Sequence, residues 1–424
     1  MLDKVLNPIA AGMRQCGGEK ALSNIRVLDL SRILAGPWCT QNLADLGAEV
    51  IKVERPGTGD DTRAWGPPWL PGQDGSQAPD SSYYSAANRG KKSVTVDIAT
   101  PEGQDMIRRM ARSSDVFIEN FKVGNLKKYG LDYESIRQEN PAIIYCSITG
   151  FGQDGPYAHR PGYDFVFQGM GGMMSITGER DDLPGGGPQK VGIALADVIT
   201  GMYATIAILA AVNHRHVSGK GQYIDMSLLD CIVALGSNQI TGYFASGNVP
   251  ARMGNAHMSL VPYGVYPTRN GHIIIAIGND EQWQRYCSAI GREDLGAEED
   301  FRKVTGRIVN RERLEAELKE TMRTRDSETW LELLEQQSVP CGPINNYEQV
   351  FRNPQVVHRK LHIEQQRQDG ARIGAAASPL RLTETPPSYD LPPPMVGQHT
   401  EEVLKAMLGI DAEQLSALRE RKII

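Results

Sequence analysis

The sequence carries little cysteine, no excess of positive charge and almost no long apolar run, and each shortage excludes a class of protein. Its six cysteines (Cys16, Cys39, Cys146, Cys231, Cys287 and Cys341) are scattered singly through 424 residues, with no C-x-x-C pair. That density excludes a disulfide scaffold, and the thiols read as reduced, mostly buried groups of an intracellular protein. Lys and Arg number 45 against 51 Asp and Glu, a net charge of −6, so a sequence-independent nucleic-acid partner is not expected. No G-x-G-x-x-G follows the first strand candidate, and no P-loop, zincin or G-x-S-x-G signature occurs. The eight histidines form no metal-spaced cluster, so no metal is expected. Residues 1–21, which include Asp3 and Glu19, lack the apolar core of a secretory signal and read as an N-terminal extension. The cytoplasm is the expected location, with the mitochondrial matrix as the alternative in a eukaryote.

What the chain does have is ordinary globular composition, 40% hydrophobic and 23% charged, and a repeated alternation of strands and helices. Ile25–Leu30 reads as a strand, Trp38–Leu46 as a helix and Val50–Glu54 as a second strand, which is a βαβ unit. Lys92–Asp97, Val116–Glu119, Ala142–Ile148 and Gln222–Met226 continue as strands, with helices at Pro101–Ser113, Tyr133–Glu139 and Ser227–Gly242. The pattern predicts an α/β fold: an open parallel, Rossmann-like sheet with helices on both faces. Residues 22–225 are expected to build this large domain, 226–335 a smaller α+β domain, and 336–424 a return to the first. Asn270–Gly271 predicts a hairpin tip within the smaller domain. The apolar run 191–212 is long enough to span a bilayer, but Asp197, Gly192 and Gly201 interrupt it, so a buried core helix is expected and no membrane.

Asp197 is the sharpest chemical clue. A carboxylate inside an apolar segment is costly unless it is hydrogen-bonded or paired. It reads either as the N-cap of the long helix or as a desolvated nucleophile at that helix N-terminus, and the two readings are compatible. Glu119–Asn120–Phe121 ends a strand, where open α/β sheets bind ligands. Lys52, Arg55, Lys91, Lys92, Lys127 and Lys128 lie near strand ends; most read as solvated surface, and one or two as phosphate holders.

Several segments in one order carry a family resemblance. Ile25–Pro37, Asp45–Gly57, Asn88–Ser93, Glu119–Phe121, Ser147–Pro156, Gly219–Gln222, Pro340–Pro343 and Gly397–Thr400 resemble the class III CoA-transferases, over about residues 22 to 424. The resemblance implies coenzyme A or an acyl-CoA as substrate, a carboxylic acid as the second partner, and an obligate homodimer of interlocked rings. It implies Asp197 as the nucleophile, acting through an aspartyl anhydride and an aspartyl-CoA thioester. CoA contacts are implied at Ile33, Leu34, Ala35, Arg55, Val96, Asp97, Ile98, Ala99, Asn120, Phe121, Lys122 and Lys128, and Tyr163 and Asp164 match a pair beside the family's active site. Where some members carry a mobile run of glycines, this chain reads Gly254–His257, which points away from formyl or oxalyl substrates.

Arg252–Tyr263 and Gly342–Asn346 resemble a branch of the family that uses dicarboxylates, which implies succinate as the donor acid and a C4–C6 diacid such as glutarate as acceptor. A buried distal carboxylate needs a cation, and Arg63, Arg89 and His257 are the candidates. Solvated loop charges and a hairpin-side hydrogen bond are the plainer readings of these three. Two other functions remain open at this point. An α-methylacyl-CoA racemase shares the fold but needs a second proton carrier, and this chain has Gly162–Tyr163–Asp164 where that subfamily has a histidine. A non-catalytic acyl-CoA-binding protein is the third.

Overall fold

The computed structural model describes residues 20–72 and 76–424, so the extension expected at 1–21 lies outside the described residues except for its last two. Six strands, β1 (Arg26–Asp29), β2 (Glu49–Glu54), β3 (Lys91–Thr95), β4 (Val116–Glu119), β5 (Ile144–Thr149) and β6 (Gln222–Ser227), form one sheet. Its order is β3-β2-β1-β4-β5-β6, and every neighbouring pair is parallel. This is the doubly wound order, in which the winding direction reverses between β1 and β4. The central strands are apolar without alternation because both faces are covered: Val27, Leu28, Val116, Phe117 and Ile118 are all fully buried.

The helices used below are α1 (Ala35–Asp45), α2 (Pro101–Arg112), α3 (Tyr133–Glu139), α4 (Asp164–Met170), α5 (Leu195–Ser218) and α6 (Leu228–Leu235). Helix α2 begins where its sequence dictates, with Pro101 in the first turn and the Thr100 hydroxyl accepting from the Gly103 N–H at 3.1 Å. Its Met106, Ile107 and Met110 meet Leu28, Ile51, Val94 and Phe117 of the sheet and Leu404 and Leu418 of the C-terminal helices in one core.

On the other face α1 and α5 pack closely. A Cβ at Gly201 would come within 2.6 Å of the Ala35 carbonyl oxygen, so glycine is what lets the two helices meet. Helix α5 is long and apolar enough to cross a membrane by length and composition alone, yet its Ala196, Thr200, Ala204, Ile208 and Ala211 row is buried.

The chain divides into two units, and not where the sequence placed the boundaries. The first unit runs to Gly171 and adds Ile193–Leu235 and Lys360–Ile424; the second holds Gly172–Gly192 and Gly236–Arg359. The expected break at 225/226 therefore moves to 235/236, and the expected return at 336 moves to 360. Cys341–Pro343 explains the later return, because it pairs with Ile273–Ile275 as the third strand of the second unit's sheet. The hairpin of Tyr263–Pro267 and His272–Ala276 forms as expected around Asn270–Gly271. The single helix expected over 227–242 is two, broken at Gly236 and at Ser237, whose φ is 42°.

Candidate active site

The site begins at the point where the sheet reverses. After β1 the chain turns through Ser31–Leu34; after β4 it leaves through Asn120–Lys122. The two exits are tied together, because the Arg32 N–H donates to Asn120 Oδ1 at 2.9 Å and Asn120 Nδ2 donates to the Arg32 carbonyl at 2.7 Å. Ile33 takes φ of 71°, an uncommon conformation for a β-branched residue, at the head of α1. Beneath this turn lies a buried charge cluster. Lys52 Nζ donates to Asp60 at 2.8 Å and to the Ser31 carbonyl at 2.9 Å. Burial pushes the Asp60 carboxyl up, but the Lys52 charge and the Thr62 hydrogen bonds outweigh it and hold Asp60 down at about 2.

Two cavities of the first unit open here. One, of about 380 Å³, is lined by Arg55, Val96, Asp97, Ile98, Ala99, Phe121, Lys128 and Tyr129. Arg55 and Lys128 have no carboxylate partner among the described residues, and Lys128 Nζ lies 4.6 Å from the Tyr129 ring. The other, of about 620 Å³, is lined by Ile33, Ala35, Asn120, Lys122, His159, Arg160, Tyr163 and Asp197. Arg32 and Phe121 line both, so the cavities adjoin at these two side chains.

Asp197 sits in the first turn of α5, third in the helix and not at its cap as one reading of the sequence had it. The cap position is Ala194, which has no side chain to offer. Asp164 of α4 supplies the missing acceptor: its Oδ1 takes the Ala196 N–H at 2.6 Å and the Asp197 N–H at 3.4 Å. Gln168 Nε2 donates to Asp164 Oδ2 at 2.7 Å and to the Ile193 carbonyl at 3.2 Å, fixing that arrangement. Desolvation first, and then the neighbouring Asp164 charge, raise the half-buried Asp197 carboxyl to about 7. Burial, followed by the charges of Asp197 and Asp164, lifts the Tyr83 phenol to about 12, so it stays protonated in the field of both carboxylates.

A carboxyl of pKa about 7 is half ionised near neutral pH, and only its ionised form attacks a carbonyl. The rate of any reaction through Asp197 is therefore expected to rise with pH between about 6 and 8 and then level off. Asp164→Asn keeps an oxygen for the helix cap and removes the charge, so its pH–rate midpoint moves to lower pH. A profile of kcat/KM that is flat from pH 5 to 8 would contradict this assignment.

Among the expected contacts, Leu34 lines neither cavity because it is buried in the core, and Asp164 acts through the helix cap, not from a wall. Arg63 and Arg89 are corrections. Arg63 is 4% exposed and bonds Glu54 through Nε at 2.8 Å and Nη2 at 2.7 Å, Asp80 at 3.0 Å and the Tyr84 hydroxyl at 2.6 Å. Arg89 is held by Asp45 through Nε at 2.8 Å and Nη2 at 2.6 Å, and donates to the Ala376 carbonyl. Neither guanidinium is free to receive a substrate. His257 belongs to the second unit, where its Nδ1 accepts the Ser259 N–H at 3.0 Å and its ring lies 4.9 Å from that of Tyr263. The sequence reading missed Arg32, Tyr83, His159, Arg160 and Gln168. For His159 and Arg160 a signal existed, since both sit on the loop that follows the C-terminal end of β5.

A doubly wound sheet whose reversal point opens on a cation-rimmed cavity, with a desolvated carboxylate in the next, marks an α/β protein with a ligand site at its topological switch point. The class narrows on comparison with known proteins: residues 22–400 match the model of CoA-transferase family III, and the chain belongs to that family. It is 47% identical over 390 residues to a succinate–glutarate CoA-transferase of Agrobacterium fabrum, covering 92% of this chain and 96% of that one. It is 40% identical over 405 residues to human succinyl-CoA:glutarate CoA-transferase, covering 96% and 90% respectively. The crystal structure of a CAIB/BAIF family protein from Brucella suis superposes with a TM-score of 0.81 at 44% identity, over 92% of this chain and all of that one.

Proposed function

We propose that this CoA-transferase moves CoA from succinyl-CoA, or a similar dicarboxylyl-CoA, to a second dicarboxylate such as glutarate, through covalent intermediates on Asp197. The observation that carries the reading is that Asp197 lines a cavity sharing Arg32 and Phe121 with the cavity rimmed by Arg55 and Lys128. The rim cations suit the phosphates of CoA, and the shared boundary lets a thioester pass to the carboxylate. The names of the relatives supply the acids.

The chemistry needs no external proton. An Asp197 oxygen attacks the donor carbonyl and the C–S bond breaks, giving a mixed anhydride and CoA thiolate. The thiolate attacks the Asp197 carbonyl carbon and expels the donor acid as carboxylate, leaving aspartyl-CoA thioester. The acceptor carboxylate attacks that thioester and releases thiolate with formation of a second anhydride. Thiolate attack on the acceptor carbonyl then yields the new acyl-CoA and regenerates Asp197. Each intermediate is hydrolysable, so shielding from water and donors for the developing oxyanions are what the site must add.

The same reading makes the protein a cytoplasmic, interlocked homodimer. Phe165, Val166 and Met170 of α4, Met202 and Ile206 of α5 and Val233 of α6 are exposed apolar side chains that a second copy would cover. A stable monomer at micromolar concentration in sedimentation would remove that part.

Mass spectrometry of acyl-CoA products over a panel of acids tests the activity. Glutarate with succinyl-CoA is expected to react faster than a C4–C6 monocarboxylate with acetyl-CoA. Equal rates would remove the dicarboxylate and leave the transferase. Exchange with no acid at all would restore the acyl-CoA-binding reading, and deuterium uptake at the α-carbon of a branched acyl-CoA would restore the racemase.

A further inference from the structure

With Arg63 and Arg89 committed elsewhere, a dicarboxylate in the Asp197 cavity needs another cation, and four basic side chains line that cavity: Arg32, Lys122, His159 and Arg160. Arg32 is engaged, its Nη1 donating to Asp61 at 2.8 Å. Lys122 is an exposed point charge on a flexible stem and also borders a third, smaller cavity. The two ring nitrogens of His159 point apart and cannot present a parallel pair of N–H groups to one carboxylate. Arg160 is exposed as well, but it alone combines a two-pronged donor, stacking on two aromatic rings and no carboxylate partner among the described residues.

Its position is set by packing. The Arg160 N–H donates to the Tyr157 carbonyl at 2.9 Å, closing a turn that lays the guanidinium 4.5 Å from the Tyr157 ring centroid and 5.8 Å from that of Phe151. Phe151 packs edge-on against Phe167 of α4 at 5.0 Å. The next residues run tightly over that same ring, since a Cβ at Gly162 would meet Phe167 at 2.4 Å. Asp164, which opens α4, then caps the turn of α5 that carries Asp197. Cation and carboxylate therefore line one cavity and are linked by a run of contacts, Arg160–Tyr157–Phe151–Phe167–Asp164–Asp197, that is exposed at its Arg160 end.

We propose that Arg160 receives the distal carboxylate of the dicarboxylic acid while the other end of the acid faces Asp197. This rests on the dicarboxylate reading above. A stacked guanidinium presents two parallel N–H groups to a carboxylate and loses little freedom on binding it, which a free lysine does not match.

The test compares glutarate with valerate, which has the same five carbons and one carboxylate, using the same acyl-CoA donor throughout. In wild type the ratio of kcat/KM for glutarate to that for valerate is expected to be large. Arg160→Gln should lower it by about tenfold or more, mainly through KM for glutarate, as loss of charge-assisted hydrogen bonds predicts. Arg160→Lys should retain more of the ratio than Arg160→Gln does, which a purely structural role would not produce. A ratio unchanged in Arg160→Gln overturns the proposal and leaves the dicarboxylate reading standing. So does a ratio that survives Arg160→Gln and collapses in Lys122→Gln. A wild-type enzyme that does not distinguish the two acids overturns the dicarboxylate reading itself and Arg160's role with it.

Discussion

Asp197→Asn is expected to lower CoA transfer by about 10⁴-fold or more while leaving the protein folded, because the proposed mechanism makes the side chain the covalent nucleophile and nothing beside it can replace a carboxylate oxygen. Asp164 is the nearest acid, but it is held by the Ala196 N–H and by Gln168 as the cap of α5. Wild-type protein incubated with acyl-CoA should carry a hydroxylamine-sensitive adduct on the peptide containing Asp197, and Asp197→Asn should carry none. The stability of the variant has a sign as well. The folded Asp197 carboxyl is raised to about 7, so between its unfolded value and about 7 the native state binds more protons and loses stability as pH rises. Asn cannot ionise and escapes that loss. At pH 8 the variant is expected to melt no lower than wild type, which separates loss of chemistry from loss of fold. Transfer at a tenth of the wild-type rate in Asp197→Asn would sink the assignment.

The parts of this molecule that were legible in the sequence are those written in local pattern. Val116–Glu119 and Tyr133–Glu139 fall at the residues their periodicity marks, and the parallel sheet follows from the alternation of strands and helices, with one antiparallel pair, Trp69–Pro71 and Gln77–Ser81, standing outside it between β2 and β3. Asp197 stood out because a charge in an apolar run has few explanations. What the sequence did not show is every relation that joins distant segments. Asp164 caps a helix that starts thirty residues later, and no local signal marks a cap supplied from another element. Tyr83 enters the field of Asp197 from a segment more than a hundred residues away. The division of the chain is not legible locally, because Cys341–Pro343 reads as a loop until Ile273–Ile275 pairs with it. Arg63 and Arg89 are hidden for a related reason: an arginine in a polar stretch looks free until its carboxylates are located.

Those carboxylates make Arg63 a residue whose loss should damage the fold severely. Its guanidinium lies 3.7 Å above the Tyr84 ring and neutralises two acids, Glu54 and Asp80, each at most 5% exposed. Arg367 also reaches Asp80, so that acid keeps one cation when Arg63 is removed; Glu54 keeps hydrogen bonds from the Asp60 N–H and the Ser93 hydroxyl, both at 2.9 Å, but only the more distant charge of Lys52. Leaving an acid buried without its partner costs about 3–5 kcal/mol, far more than the lost packing of one side chain. Arg63→Met is therefore expected to melt many degrees below wild type, and adding Glu54→Gln should restore part of the loss by removing the stranded charge. The pH dependence distinguishes this account from a simple packing defect. In wild type, burial pushes the Glu54 carboxyl up, but the Arg63 hydrogen bonds and charge outweigh it and hold the carboxyl below its usual value. The pair accordingly contributes stability above the unfolded carboxyl range, and loses it as pH falls through the depressed folded value. Without Arg63 the desolvation that remains favours the protonated acid, and the slope reverses. The difference in melting temperature between wild type and Arg63→Met should thus be larger at pH 8 than at pH 4.5. A variant equally stable at both, with KM for glutarate raised instead, would return Arg63 to the substrate.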